Sequence, residues 1–158
     1  MKIIVDISDA RISKDSNDTL ITYSLGSCLG VAVYDPTVKV GGMLHYQLPT
    51  SKMDPDKAKK QPLMFADTGL EFLLKKLQIL GVAKKRLKIK IAGAAQMMND
   101  AGTFNIGKRN YTAMRQLLWK NGMFIDAEDV GGKSARNLSL NIDDGNVQVK
   151  SQGVTKQL

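Results

Sequence analysis

Leu20-Ile21-Thr22-Tyr23-Ser24-Leu25-Gly26-Ser27-Cys28-Leu29-Gly30-Val31-Ala32-Val33-Tyr34 is the stretch on which the reading of this chain turns. Residues 20–25 and 29–34 are short, apolar or alternating, and rich in β-formers, so both read as strands. Gly26 and Gly30 flank the only cysteine, Cys28. Glycine lets the backbone turn sharply there and leaves the amides around Cys28 accessible. Such a turn can present a thiol at a surface beside N–H groups that hold an oxyanion. A lone intracellular cysteine is otherwise most often a small buried hydrophobe.

Working outward, Asp35-Pro36 is a turn signal. After it Val38, Val40, Gly42 and Leu44 share one parity, while Lys39, Gly41, Met43, His45 and Gln47 share the other. That spacing predicts a half-buried strand ending at Pro49, with His45 on its less apolar side. Residues 50–61 read as a polar loop. Pro62 suits the first position of a helix, and Leu63, Ala66, Leu70, Leu73, Leu74, Leu77 and Leu80 follow at 3–4 spacing up to a stop at Gly81. Residues 87–91 alternate as a strand. A second helix is predicted over 106–121, with Ala113, Met114, Leu117 and Leu118 inward and Gly122 capping it. Strands over 123–127, 137–142 and 147–150 complete the chain, the last two joined by a turn around Asp144-Gly145. The expectation is one mixed α/β domain over residues 1–158, without the regular βαβ repeat of a doubly wound sheet.

Composition agrees with a single globular unit. The chain has 158 residues, 43% of them apolar, and a domain of that length buries roughly 68–70% of its unfolded surface. One cysteine excludes an internal disulfide. One cysteine and one histidine exclude every Cys/His-rich zinc site. The amino terminus meets Asp6 too early for a secretory apolar region, and no apolar run reaches the ~18 residues of a membrane span. The expected address is the cytoplasm, without membrane insertion.

Twenty-three Lys and Arg against fifteen Asp and Glu give a net charge of +8, which favours an acidic partner. Seven cations and no acid fall between Lys75 and Lys90. This reads equally as a docking patch for an acidic surface or as a solvated helix end plus a lysine-guarded edge strand. Without an aromatic to stack bases, the stretch does not point to nucleic acid. Asp126, Glu128, Asp129, Asp143 and Asp144 are more simply turn-forming acids than a hard-metal site.

Chemistry concentrates on the two singletons. A thiol with an ordinary pKa of ~8.5 is only a few per cent thiolate at pH 7, so a cysteine nucleophile needs a base or a cation beside it. Lowering the pKa by two units takes about 2.7 kcal/mol of preferential anion stabilisation, which an imidazolium in hydrogen-bond reach can supply. If Cys28 works through a Cys–His pair, its partner must be His45. A third group normally fixes the imidazole by binding its far nitrogen. No acid lies between Asp18 and Asp35, so a nearby orienter would be a hydroxyl, an amide or a backbone carbonyl. Thr22 and Ser24 share a face of the strand leading into the turn, and either could reach; a threonine there is also simply a β-former.

Several ordered motifs together resemble the CheD family of chemoreceptor glutamine deamidases. They are Thr22-Tyr23-Ser24-Leu25-Gly26-Ser27-Cys28, Asp35-Pro36, Gly41-Gly42-Met43-Leu44-His45, Phe65-Ala66-Asp67, Gly93-Ala94-Ala95-Gln96-Met97, Asn105-Ile106-Gly107-Lys108-Arg109-Asn110, Glu128-Asp129-Val130-Gly131-Gly132 and Arg136. The resemblance spans roughly residues 18–150. It implies a β-sandwich-like core flanked by helices, similar to the catalytic domain of cytotoxic necrotizing factor toxins. It also implies a cysteine hydrolase converting glutamine side chains of methyl-accepting chemotaxis receptors to glutamate, with no metal or organic cofactor. On the same basis Cys28 matches the nucleophile, His45 the general base and Thr22 the residue orienting it, with Gly26 and Ser27 in the oxyanion turn. The Cys28 amide is expected to be one oxyanion donor. An association with a CheC-type phosphatase is implied as well, and a non-catalytic adaptor is the alternative. Two departures stand out. Ser24 lies where many relatives have glycine, and Ala92-Gly93-Ala94-Ala95 differs from the commoner Gly-Gly-Ala.

Overall fold

Residues 1–97 and 104–158 are described by the computed structural model. In chain order the strands are β1 (Lys2–Ile4), β2 (Asp9–Ser13), β3 (Thr19–Leu25), β4 (Leu29–Asp35), β5 (Val40–Tyr46), β6 (Lys88–Gly93), β7 (Ala127–Val130), β8 (Arg136–Asn141), β9 (Val147–Ser151) and β10 (Val154–Gln157). The α-helices are α1 (Pro55–Lys60), α2 (Ala66–Ile79) and α3 (Ile106–Lys120). Among the described residues the strands form two five-stranded sheets, ordered β1-β3-β8-β9-β10 and β2-β5-β4-β6-β7.

Alternation along the central strands explains the layering. Leu29, Val31 and Val33 of β4 and Val40, Leu44 and Tyr46 of β5 share a core with Leu70, Leu73, Met114 and Leu118 of α2 and α3. The intervening Ala32, Tyr34 and Met43 belong instead to a second core with Leu20, Leu25, Leu138 and Leu140 of the other sheet. The molecule is therefore a sandwich of two sheets with helices covering one outer face, the mixed α/β, β-sandwich-like architecture expected. Every residue of β4 and β5 is buried. The expected half-buried strand at 38–47 is thus covered on both faces, because it lies in the middle layer.

Both long helices follow their apolar spacing. α3 buries Gly107, Asn110, Met114 and Leu118, and Gly81 and Gly122, both at positive φ, follow the ends of α2 and α3. Other expectations need correction. The 50–61 segment holds α1, capped by the Asp54 carboxylate accepting from the Lys57 amide. Pro62 opens a short 3-10 turn and α2 starts only at Ala66. The strand expected over 123–127 begins at Ala127, where parallel pairing with β6 starts. The short strands β1, β2 and β10 lie outside the predicted set.

The decisive stretch also folds differently from a hairpin. β3 and β4 belong to different sheets, so Gly26–Cys28 is a corner where the chain crosses between layers. Before it, the pairing of β3 with β8 shifts register between Thr22 and Leu25, a bulge that inserts an extra residue. Ser24 takes φ +60° there, is exposed, and donates its amide to Asn137 Oδ1. Thr22 and Leu25, not Thr22 and Ser24, therefore face inward.

Candidate active site

The bulge aims Thr22, fully buried, across the sandwich at His45 of β5, which is 2% exposed. Thr22 Oγ1 lies 2.7 Å from His45 Nδ1 and 2.7 Å from the Val5 carbonyl oxygen. A hydroxyl has one hydrogen. The carbonyl can only accept, so that hydrogen goes to Val5, and Thr22 Oγ1 must accept from a protonated Nδ1. In the neutral ring this leaves Nε2 as an unprotonated lone pair, and Nε2 is buried without a hydrogen-bond partner among the described residues. Of the two hydroxyls that the sequence offered as orienters, only Thr22 makes the contact.

Cys28 reaches the same face of the middle sheet. Gly30 pairs with His45 across β4 and β5. Cys28 stands just before β4, two residues ahead of that Gly30. It is partly buried and packs on the inter-sheet core. Its sulfur makes no hydrogen bond to Nε2.

Backbone contacts fix the corner. The Gly26 carbonyl accepts from the Ala95 amide at 2.8 Å, and the Cys28 carbonyl accepts from the Ala94 amide at 2.8 Å. The Ser27 carbonyl accepts from Asn110 Nδ2 at 2.9 Å. In a trans peptide the C=O and the following N–H point opposite ways. Anchoring the Gly26 and Ser27 carbonyls therefore turns the Ser27 and Cys28 N–H groups the other way, and the Cys28 amide lies against its own sulfur. Only glycine fits at position 93, where a Cβ would come within 2.3 Å of the Cys28 carbonyl oxygen. Ala94 adopts φ +54°, the region that favours glycine.

Burial governs the electrostatics. It pushes the Cys28 thiol up to about 11, with its own amide pulling weakly the other way. It pushes His45 down to about 4, against the smaller opposing pull of Asp6 and Asp9. At neutral pH the resting pair is thiol and neutral imidazole. The imidazolium invoked from the sequence is not the resting form of the ring, which suits a base better than a standing counter-ion.

Asn110 was outside the sequence-derived set, apart from its place in a motif. A polar residue on the inward 107-110-114-118 stripe of α3 was the signal that could have found it. The acids between 126 and 144 do not converge. Asp126 accepts from the Ile89 amide, Glu128 from Tyr111, and Asp129 pairs with Arg136 and Lys156.

The basic stretch is remote from the corner. Arg86 pairs with Asp35 at the far end of β4, about 20 Å from its Cys28 end at ~3.3 Å per residue. Lys75 pairs with Glu71, Lys76 lies over the Phe72 ring, Lys84 bonds Asn121, and Lys90 bonds the Leu158 carbonyl. Much of the run is thus used structurally. Nearer the corner, a groove of about 490 Å³ borders Ala94 and Gln96 and carries Lys108 and Lys133 on its walls. No helix among the described residues is long and apolar enough to cross a membrane.

Comparison with known proteins identifies the family. The family profile described as CheD chemotactic sensory transduction matches residues 47–151, a span that begins just past His45. The chain is 50% identical over 151 residues to a probable chemoreceptor glutamine deamidase CheD 1 of Syntrophus aciditrophicus, covering 96% of this chain and 94% of that protein. It is 43% identical over 157 residues to a probable chemoreceptor glutamine deamidase CheD of Solibacter usitatus, covering 99% and 93%. A protein of the same description from Thermococcus kodakarensis is 36% identical over 152 residues, covering 95% and 92%. With a family profile over most of its length and relatives this similar along nearly all of it, the chain belongs to the CheD family.

Proposed function

We propose that this protein deamidates glutamine side chains of chemoreceptors, with Cys28 as nucleophile, His45 as general base and acid, and Thr22 as the group that holds the imidazole. The observation that carries the reading is the buried ring whose Nδ1 is held by Thr22 while Nε2 stays unpaired on the inter-sheet side, where Cys28 also packs. The substrate class is that of its relatives, probable chemoreceptor glutamine deamidases.

His45 Nε2 takes the thiol proton as Sγ attacks the carboxamide carbon. The Cys28 N–H is one donor to the resulting oxyanion. The imidazolium, with its Nδ1–H on Thr22, gives its proton to the departing nitrogen, so ammonia leaves and a thioester remains. Water then attacks the thioester carbon while Nε2 takes its proton; the carbon–sulfur bond breaks, glutamate leaves, and the sulfur regains the proton. The charged intermediates are made only when substrate is present, which accords with a resting pair whose burial disfavours both charges. The net positive charge, with Lys108 and Lys133 near the corner, would steer acidic receptor segments and weaken encounter at high salt.

The test is incubation of the purified protein with a receptor cytoplasmic fragment, reading ammonia release and the amide-to-acid mass change. Release is expected from the wild type and not from Cys28→Ala. A non-catalytic adaptor would release none from either, and undiminished release by Cys28→Ala would remove Cys28 from the chemistry.

A further inference from the structure

Among the described residues, two buried side-chain polar atoms lack a partner: His45 Nε2 and Asn110 Oδ1. The proposed mechanism uses the first and is silent on the second. Asn110 is fully buried on α3. Its Nδ2 donates to the Ser27 carbonyl at 2.9 Å and to the Gln47 carbonyl at 2.9 Å, and Tyr46 Oη donates to the Asn110 carbonyl at 2.6 Å. Both N–H bonds of one amide thus tie the corner that carries Cys28 to the segment just past His45. The remaining acceptor is left empty, so the side chain acts through its donors.

Packing holds the helix in place for this. Gly107, one turn earlier, lies so close to the 94–95 backbone that a Cβ would meet the Ala95 carbonyl oxygen at 2.4 Å and the Ala94 carbonyl oxygen at 2.7 Å. The same 94–95 segment binds the Gly26 and Cys28 carbonyls. Helix, corner and strand end are therefore one rigid cluster.

We infer that Asn110 is a positioning residue for the oxyanion hole: by gripping the Ser27 carbonyl it sets the Ser27–Cys28 peptide plane, and so aims the Cys28 N–H at the developing oxyanion. It touches neither substrate nor the reacting atoms. This rests on the deamidase reading above. A peptide plane free to rotate loses a preorganised donor at the moment charge forms, and a misplacement of about 1 Å costs up to about 100-fold.

Asn110→Asp, nearest in shape, and Asn110→Ala, which tolerates a helix best, are compared with wild type and Cys28→Ala. For each, kcat and KM for deamidation of the receptor fragment are measured alongside the folded fraction and the rate of Cys28 alkylation by iodoacetamide, which builds no oxyanion. Tyr34→Phe, which removes a buried hydroxyl bond to the Ile142 carbonyl elsewhere, controls for general loosening. The expected result, per folded molecule, is kcat lower by about 10- to 100-fold, with KM and alkylation each within about threefold of wild type. If Asn110→Asp does not fold, Asn110→Ala decides. A kcat that follows only the folded fraction, as in Tyr34→Phe, overturns the inference, and so does an equal fall in kcat and alkylation. Deamidation persisting in Cys28→Ala would overturn the catalytic reading itself, a failure that is seen without any Asn110 variant.

Discussion

The two ends of β4 both bury polar side chains, and they treat them in opposite ways. At the far end, Asp35 is fully buried and saturated. It accepts from the Thr37 and Ala83 amides and from Arg86 through both Nε and Nη2. Burial raises its pKa, but these donors outweigh it and hold the carboxyl below its ordinary value. At the Cys28 end, His45 and Asn110 are equally buried, yet each keeps one atom unmatched. A folded chain recovers the cost of burying a polar group only by pairing it. The saturated end is explained by stability alone, whereas at the other end the unpaired His45 Nε2 is, on the proposed reading, the acceptor of the thiol proton.

The sharpest way to break this contrast is to exchange the consequences of mutation. Cys28→Ala and His45→Ala are each expected to lower kcat by roughly 10³-fold or more, with little further loss in the double variant because the pair acts as a unit. Cys28→Ala should melt near wild type, whereas His45→Ala empties a buried site, so its kcat is compared per folded molecule. A His45→Ala protein that deamidates at wild-type rate would dissolve the contrast.

Acid titration separates the ends by pH window. His45 is depressed from 6.5 to about 4, so the unfolded chain binds the extra proton first. Stability should fall as pH drops through that interval, by roughly 3 kcal/mol, and the slope should be missing in His45→Asn. Asp35 is depressed below 3.8, so its contribution persists down to that pH and is lost only beneath it. Urea unfolding at several pH values reads both windows, and identical slopes for wild type and His45→Asn above pH 4 would contradict the assignment.

A smaller effect is expected from Asp35→Asn, which leaves Arg86 without its charge partner. Its melting temperature should fall by roughly 5 °C, with kcat unchanged well below the transition. A selective loss of kcat would make the far end functional too. Smallest is Ser24→Gly, which relieves a left-handed residue at the bulge. It should gain about 1 kcal/mol, measured as a slightly higher melting temperature, and a lower one would show that the serine's own contacts outweigh the backbone.

What could be read from the sequence follows the range of the interactions. The stripe of α3 and its Gly122 stop are local, and the helix lies where its spacing sets it. The β4 and β5 runs were also legible, but not their assignment to the middle layer, which depends on partners far along the chain. The bulge that turns Ser24 outward has no local mark except a resemblance that favours glycine there. β10, exposed at every position, has no alternation to betray it. Resemblance named Thr22, but only the Val5 carbonyl fixes which way its hydrogen points. Asn110 needed three segments brought together before its role could be stated.

One further consequence comes from where the site draws its parts. Thr22 stands on one sheet, His45 on the other with Cys28 at the crossing, and Asn110 on the helical layer. No single layer holds a working set. On the proposed reading, turnover is a checksum of complete assembly, and a chain with its strands formed but its layers undocked would be silent long before its circular dichroism looked unfolded.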